Sequence, residues 1–366
     1  MSLIYLITAS IILLYLIYPL WLTLYSSNQS ESEIETAEIN SVSLILLSYN
    51  GQQYLNEKIN FLLKELSCFQ HYELIIIDDD STDGSKEILD NFRNTKNIRI
   101  ILKNEHKGIP HSMNIGVDNA KYENIIFCDQ RQNLSDNIIF RIVEPLKFKN
   151  MGAVSACISH LDKERSYSII RRYENFLKLK ESKTGNLIGV YGPFYALKKD
   201  YYSVIPDHII LDDLYLSLKI IKSKQIKILE DCQIFDEDPS ILFDYKRIKR
   251  YLYGLLQIIN DKALVSQLNN KQLIMLFWHK YLRLFIPLLV FLCFICTGIL
   301  CSKNTDYLIL FCILSVLGLV SVFSGLSKIR FSLKSFIRII ILYVVAIADI
   351  FFKDICFKRI IHMSWK

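Results

Sequence analysis

The sequence predicts an α/β domain on a mostly parallel sheet, joined at both ends to uncharged runs long enough to cross a bilayer. Three observations predict it. Apolar β-type runs alternate with helically spaced stretches between residues 42 and 129, the pattern of a parallel sheet covered by helices on both faces. Two of those runs end in carboxylates, at Asp78, Asp79 and Asp80 and again at Asp129. Finally, 51% hydrophobic residues and a mean hydropathy of +0.25 coexist with 43 Lys+Arg and 37 Asp+Glu. Lipid-facing segments and a charged, water-facing domain therefore share one chain of 366 residues. This excludes a disordered chain, a disulfide miniprotein and a collagen-like chain.

The elements follow in order. Residues 1–25 carry no charge and, at about 1.5 Å per residue, reach across a hydrocarbon core. A basic leader and a small-residue cleavage site are both missing, so the run reads as a retained anchor. Tyr18, Trp21 and Tyr25 form its interfacial aromatic belt. Residues 26–40, with Glu31, Glu33, Glu35 and Glu38, read as a polar linker. The α/β domain occupies 41–240, with strands over 42–49, 73–77, 98–102 and 124–128 and helices over 57–66, 85–92 and 112–120. Residues 241–283 form an amphipathic interfacial region, and 284–366 a C-terminal membrane region with a basic tail.

Within that last region, 284–302 and 307–327 are uncharged spans joined by a short hairpin. Residues 339–352 contain Asp349 and read as a third span or an interfacial segment. The loop 328–338 is short and basic, so it belongs on the cytoplasmic side; two spans earlier, the domain lies on that side too. The net charge of +6 resides in the C-terminal forty residues, which suggests anionic lipid headgroups or a topology signal rather than nucleic acid. The nine cysteines are scattered apart from Cys293 and Cys296, which sit in a lipid-type run, and all read as reduced thiols.

Several clusters carry chemistry, each with a bland counterpart. Asp78, Asp79, Asp80 and Asp83 crowd six positions after a buried strand; such carboxylates accept from a base N–H and ribose hydroxyls, or simply build a polar turn. Gly108 to Gly116 places Ser112 and Asn114 at a loop-to-helix transition, suited to phosphate or to ordinary capping. Asp129-Gln130-Arg131 offers one carboxylate for ribose or a cation and one guanidinium for a diphosphate, or forms a solvated turn. Asp212-Asp213 opens an apolar helix, either for its dipole or as a general base. Lys246 to Tyr251 opens an amphipathic stretch, suited to a membrane surface or to the mouth of an active site.

Taken in order, these segments resemble the family-2 glycosyltransferases, in particular the membrane-embedded branch that includes cellulose and hyaluronan synthases. The strand and turn Leu46-Leu47-Ser48-Tyr49-Asn50 open it. Asp78-Asp79-Asp80-Ser81-Thr82-Asp83 stands for its Asp-Asp-Gly-Ser-Thr-Asp motif, and Ser112 takes the Ala place of Gly-x-x-x-Ala-x-Asn-x-Gly. Asp212-Asp213 matches its base motif. Arg247-Ile248-Lys249-Arg250-Tyr251 matches Gln-x-x-Arg-Trp, with Arg247 and Tyr251 in the Gln and Trp places. His279-Lys280-Tyr281-Leu282-Arg283 matches its His-Lys-x-x-Arg segment. The resemblance covers roughly residues 40 to 300.

The resemblance implies a GT-A, Rossmann-like nucleotide-sugar domain with N- and C-terminal transmembrane helices, in a bacterial inner membrane with the domain on the cytoplasmic face. It implies inverting transfer of a sugar from a UDP-linked donor to a polysaccharide-type acceptor. Single transfer to a polyprenyl-phosphate or lipid acceptor, and a non-catalytic subunit of a synthase complex, are the alternatives. Asp213, beside Asp212, would be the base. Tyr49, Asp78, Asp79, Asn114, Asp129 and Arg131 would bind the donor, and Arg247, Arg250 and Tyr251 would serve acceptor and diphosphate. Mg²⁺ or Mn²⁺ would sit at Asp129, where the second Asp of Asp-x-Asp is Arg131, whose fixed charge would take over part of the metal's role.

Overall fold

The structure, a computed structural model, describes residues 16–25, 38–159, 169–235, 245–282, 292, 294–300, 312 and 333–350. Eight strands form one sheet: β1 Ser41–Ser48, β2 His71–Asp78, β3 Ile98–Leu102, β4 Asn124–Asp129, β5 Asn133–Leu134, β6 Met151–Ser159, β7 Phe194–Lys198 and β8 Gln225–Phe235, in the spatial order β3-β2-β1-β4-β7-β6-β8-β5. The helices are α1 Gln52–Leu66, α2 Ser85–Asp90, α3 Ile109–Asn119, α4 Ile138–Val143, α5 Ile169–Ser182, α6 Asp212–Ile220, α7 Tyr245–Asn260, α8 Lys262–Val265, α9 Asn270–Leu276 and α10 Leu333–Asp349. A π-helical turn, Phe277–Leu282, extends α9.

β3, β2, β1 and β4 are parallel, as the alternation predicts. Val42, Leu44, Ile45 and Leu46 are all fully buried, because helices cover both faces and the strand reads as a continuous apolar run. Each such side chain contributes roughly 1.5–3 kcal/mol by burial. β7 lies antiparallel between β4 and β6, so the sheet is mixed, within the mostly parallel arrangement expected. Ser48 pairs with Asp78 and Leu47 with Asp129. The register therefore brings the carboxyl ends of β1, β2 and β4 to one edge.

Two glycines explain how α3 sits there. Gly108 precedes the helix at φ 86°, left-handed backbone that glycine adopts without strain. Gly116 lies so close to β1 that an added Cβ would stand 2.6 Å from Ile45 Cγ2. The helix begins three residues before the expected 112, with Pro110 in its first turn, where its missing N–H costs nothing.

α7 buries Ile248, Leu252, Leu255 and Ile258, a helical stripe, and leaves Lys246, Arg247 and Arg250 exposed. Its first turns meet α10: Tyr245 Oη and Lys249 Nζ both donate to Asp349 Oδ2, at 2.8 and 2.6 Å. Asp349, expected inside or beside a span, thus serves as a partner for α7.

Among the described residues, no helix is long and apolar enough to cross a membrane. The expected spans 1–25, 284–302 and 307–327 fall largely outside the described residues. Residues 16–25 are helical, with Tyr18 and Leu22 buried and Leu16, Leu20 and Leu24 exposed. α10 is 17 residues long and covers most of the expected third segment.

Candidate active site

The chain runs outward from β1 through β2 to β3 and returns to β4 on the other side of β1. The crevice beyond the carboxyl ends of β1 and β4 is the switch point where such sheets bind ligands. Gln130 closes its floor, donating from Nε2 to Tyr49 O at 2.7 Å. Gly51 permits this, since a Cβ there would lie 2.0 Å from Gln130 Oε1. Tyr49 is exposed at the rim and stacks on His106 with 4.1 Å between ring centroids.

The carboxylates after β2 are consumed by the fold. Asp78 is fully buried and accepts from Ser81 N at 3.0 Å and Ser81 Oγ at 2.5 Å. Asp79 accepts from Lys103 Nζ, from Lys107 N at 3.1 Å and from Gly108 N at 2.7 Å, with His106 Nδ1 2.9 Å from its second oxygen. Four partners fill the acceptor sites of one carboxylate, so Asp79 holds the 103–108 loop. Asp83 accepts from Gln52 N and Ser85 N, both at 3.0 Å, tying the start of α1 to that of α2. The polar-turn reading thus describes what these residues do here.

Asn114 is engaged in the same way. Its Oδ1 accepts from Tyr202 Oη at 2.6 Å and Ile205 N at 3.0 Å, while Nδ2 donates to Ile205 O at 2.8 Å. It pins the 202–205 segment rather than facing the crevice with open donors.

The second group of acids converges where β4 meets β7. Asp129 N donates to Pro193 O at 2.9 Å. The neighbouring Gly192 lies against Asp213: a Cβ built there would sit 3.6 Å from Asp213 Oδ2. Burial pushes the Asp129 carboxyl up to about 6, with Arg131 and Lys58 opposing the shift and Asp213 adding to it. Asp212 is pushed well above the usual carboxylate range, chiefly by burial, then by Asp213, with Arg250 opposing. The neighbouring Asp213 carboxylate is the nearest charge that disfavours ionisation of Asp212. The buried hydroxyl of Tyr195 lies in the same field and has no hydrogen-bond partner among the described residues.

α7 positions this pair. Gln257 Oε1 accepts from Ile210 N, and an added Cβ at Gly254 would stand 2.5 Å from Leu211 Cγ. Arg250 thereby comes within electrostatic reach of Asp212, Tyr251 packs against the core, and Arg247 stays exposed on the first turn.

Of the expected residues, the fold gathers Asp129, Arg131, Asp212, Asp213 and Arg250. It spends Asp78, Asp79 and Asn114 on the surrounding loops. The sequence reading missed Gly192 and Tyr195. The scarcity of glycine, 12 in all, was the signal available for the first; nothing marked the second.

Asp129 is followed by Arg131 where a second carboxylate would stand, and among the described residues no three His, Cys, Asp or Glu side chains converge as metal ligands. The described residues do not by themselves build a three-ligand metal site.

Comparison with known proteins bears on this geometry. Residues 43–205 match the model described as Glycosyl transferase family 2. Glycosyltransferase GlyG of Streptococcus pneumoniae serotype 4 is 32% identical over 114 residues, 31% of this chain and 37% of that protein. Poly-beta-1,6-N-acetyl-D-glucosamine synthase of Staphylococcus epidermidis is 24% identical over 172 residues, 45% of this chain and 41% of the synthase. The chain thus spans well under half the length of these relatives. The structure of mannosyltransferase PcManGT from Pyrobaculum calidifontis, in complex with GDP-Man and Mn2+, superposes with a TM-score of 0.76 at 16% identity, covering 96% of this chain and 99% of that one. With the strand order and the crevice described above, these likenesses show a GT-A-like α/β fold whose residues 43–205 are similar to the family-2 glycosyltransferases.

Proposed function

We propose that this chain is a membrane-bound inverting glycosyltransferase that moves a sugar from a UDP-linked donor to a polysaccharide-type acceptor. The carrying observation is the meeting of Asp213, Asp129 and Arg250 at the crevice where β4 joins β7. Asp213 takes the proton of an acceptor hydroxyl. The acceptor oxygen then attacks the anomeric carbon from the side opposite the diphosphate, and the bond from that carbon to the diphosphate oxygen breaks. The nucleoside diphosphate leaves with the electron pair, and its growing charge is met by the guanidinium groups of Arg250 and Arg131. Tyr49 offers its exposed ring to the donor base, and Asp78, Asp79 and Asn114 hold the loops that frame it. Tyr251 and Arg247 flank the acceptor side.

The membrane assignment is supported by the uncharged runs in the sequence and by the exposed Leu16, Leu20 and Leu24. The basic loop at 328–338 supports a cytoplasmic domain on a bacterial inner membrane. A polymer acceptor is supported by the relatives, one of which is a poly-N-acetylglucosamine synthase.

The test is incubation of the full chain in lipid with a panel of nucleotide sugars, scoring nucleotide release and product length. The expected outcome is release from a UDP-sugar with lengthening products. Products of one added sugar would favour a lipid-linked acceptor, and no release from any donor would overturn the enzymatic reading.

A further inference from the structure

One polar stripe of α5, with Lys178 and Glu181 buried and Asn175 half-buried, packs against the run that leads to the crevice. Asn175, Lys178 and Glu181, spaced three apart, share one face of the helix. Asn175 Oδ1 accepts from Tyr191 Oη at 2.5 Å. Lys178 Nζ donates to Gly189 O and Val190 O and lies 4.2 Å from the Tyr191 ring centroid. Glu181 Oε2 accepts from Ile188 N at 3.1 Å. The run they hold, 188–191, leads directly into Gly192 beside Asp213. It is tied to the base a second time: Val190 N donates to Ser217 Oγ at 3.1 Å, and Ser217 Oγ donates to Asp213 O at 2.6 Å.

The other oxygen of Glu181 has a different set of partners. Oε1 takes Tyr18 Oη at 2.5 Å and His279 Nδ1 at 2.6 Å. Tyr18 belongs to the helical segment 16–25, and His279 to the π-helical turn. Tyr18, Glu181 and His279 are all fully buried or nearly so, and Tyr18 stacks on Trp278. An ionisable group is costly to bury, and packing alone would be served by an apolar residue of similar size. Burial pushes Glu181 up to about 7 and holds Lys178 down to about 7, so the cluster is kept against that cost.

We infer that Glu181 is a positioning residue: through it, the docked 16–25 helix and the His279 turn set the backbone of 188–192, the wall beside Asp213. Segments that precede and follow the eight-stranded sheet in sequence thereby become part of the active-site geometry. This rests on the reading of Asp213 as the base.

The test uses the full chain in lipid with three variants, Tyr18→Phe, Glu181→Gln and the double, and Asp213→Asn as control. Tyr18→Phe removes one hydroxyl and keeps the ring stack. Amide hydrogen exchange over 188–192 should accelerate about tenfold in each single variant, the loss of about one hydrogen bond, with β1 and β2 unchanged. Turnover should fall by roughly 10- to 100-fold, as for a small misplacement of reacting groups, with the donor KM within about twofold. The double variant should be no worse than Glu181→Gln, because both act on one path. Exchange and turnover within about twofold of the parent in both single variants would overturn the inference. So would accelerated exchange across β1 and β2 together with a raised donor KM, which marks a merely structural role. If the parent chain transfers no sugar, or Asp213→Asn keeps full turnover, the reading of the base fails; the exchange over 188–192 still decides whether Glu181 sets that wall.

Discussion

Gln257 Oε1 accepts the backbone N–H of Ile210 at 3.0 Å, and Gln257 Nε2 donates to His208 O at 2.8 Å. One side chain of α7 therefore fixes the turn that leads into Asp212 and Asp213. Gly254, nearly one helical turn earlier, admits Leu211 against the same helix. The helix that carries Arg250 and the helix that carries the candidate base are thereby locked together. In the proposed reaction, charge stabilisation and proton abstraction would share one support.

Loosening that lock should cost rate before it costs the fold. Gln257→Ala removes both hydrogen bonds, worth about 1 kcal/mol each, and should lower turnover roughly tenfold or more by letting Asp213 drift. Gly254→Val forces Leu211 away and should destabilise by about 1–3 kcal/mol through overpacking. Thermal unfolding and initial rates on the same preparations check both.

Asp212 and Asp213 should respond differently to the same substitution. Asp213→Asn keeps shape and removes the basic oxygen, so transfer should fall at least about 10²-fold with donor binding retained. Asp212 is pushed well above the usual carboxylate range by burial and by its neighbour, so Asp212→Asn removes a group that ionises less readily than an ordinary carboxyl. Its loss should stay within roughly tenfold. Rates measured beside donor calorimetry decide; equal losses in the two variants would count against the assignment of the base.

The parallel half of the fold was legible because its signal is local. The stretches 44–47 and 74–77 are apolar throughout, and each strand is followed by turn residues, Asn50-Gly51 after the first and Asp78-Asp79-Asp80 after the second. β7 was not legible: Phe194–Lys198 is five residues long, and its antiparallel place between β4 and β6 depends on partners far away in sequence. The acids show the same division. Asp213 and Asp129 stood out in the sequence because each sits where a regular element begins or ends. Asp78, Asp79 and Asn114 satisfy the same motif, yet their carboxylate and amide groups are filled by backbone amides and side chains from other loops. Composition cannot separate an acid that faces a crevice from one that organises its rim. Glu181 was invisible for a related reason, since its partners Tyr18 and His279 lie 163 and 98 residues away.

The Asp129 carboxyl gives a pH signature in stability. Its value of about 6 exceeds the ordinary 3.8 of an unfolded chain, so ionisation is harder in the folded state. The folded state therefore binds more protons between those values, and stability falls as pH rises through that window. Asp129→Asn mimics the protonated form at every pH. It should be more stable than the parent at pH 8 by about 2 kcal/mol, a figure reduced for partial solvent screening, and the gain should vanish below about pH 4. Denaturant unfolding at pH 4 and pH 8 with chelator present reads this directly, and an unchanged difference across that range would contradict it.

Arg131 gives the sharpest prediction about cofactor use. Two carboxylates in Asp-x-Asp hold a divalent ion on a donor diphosphate; here the second is a guanidinium, and its charge already acts on Asp129. Exchanging one for the other changes the local charge by two units. A cation at 4 Å would be repelled by about 4 kcal/mol per unit charge at an effective dielectric near 20, and by less here because Arg131 is exposed. The same guanidinium can donate two parallel hydrogen bonds to phosphate oxygens. Transfer should therefore depend only weakly on Mg²⁺ or Mn²⁺, Arg131→Ala should lower it by roughly 10- to 100-fold, and Arg131→Asp should make it strictly metal-dependent. Titration of activity against both ions with chelator controls separates this from ordinary metal use. If chelation abolishes transfer while Arg131→Ala leaves it intact, the guanidinium does not stand in for the ion, and Asp129 with the donor phosphates holds the metal unaided.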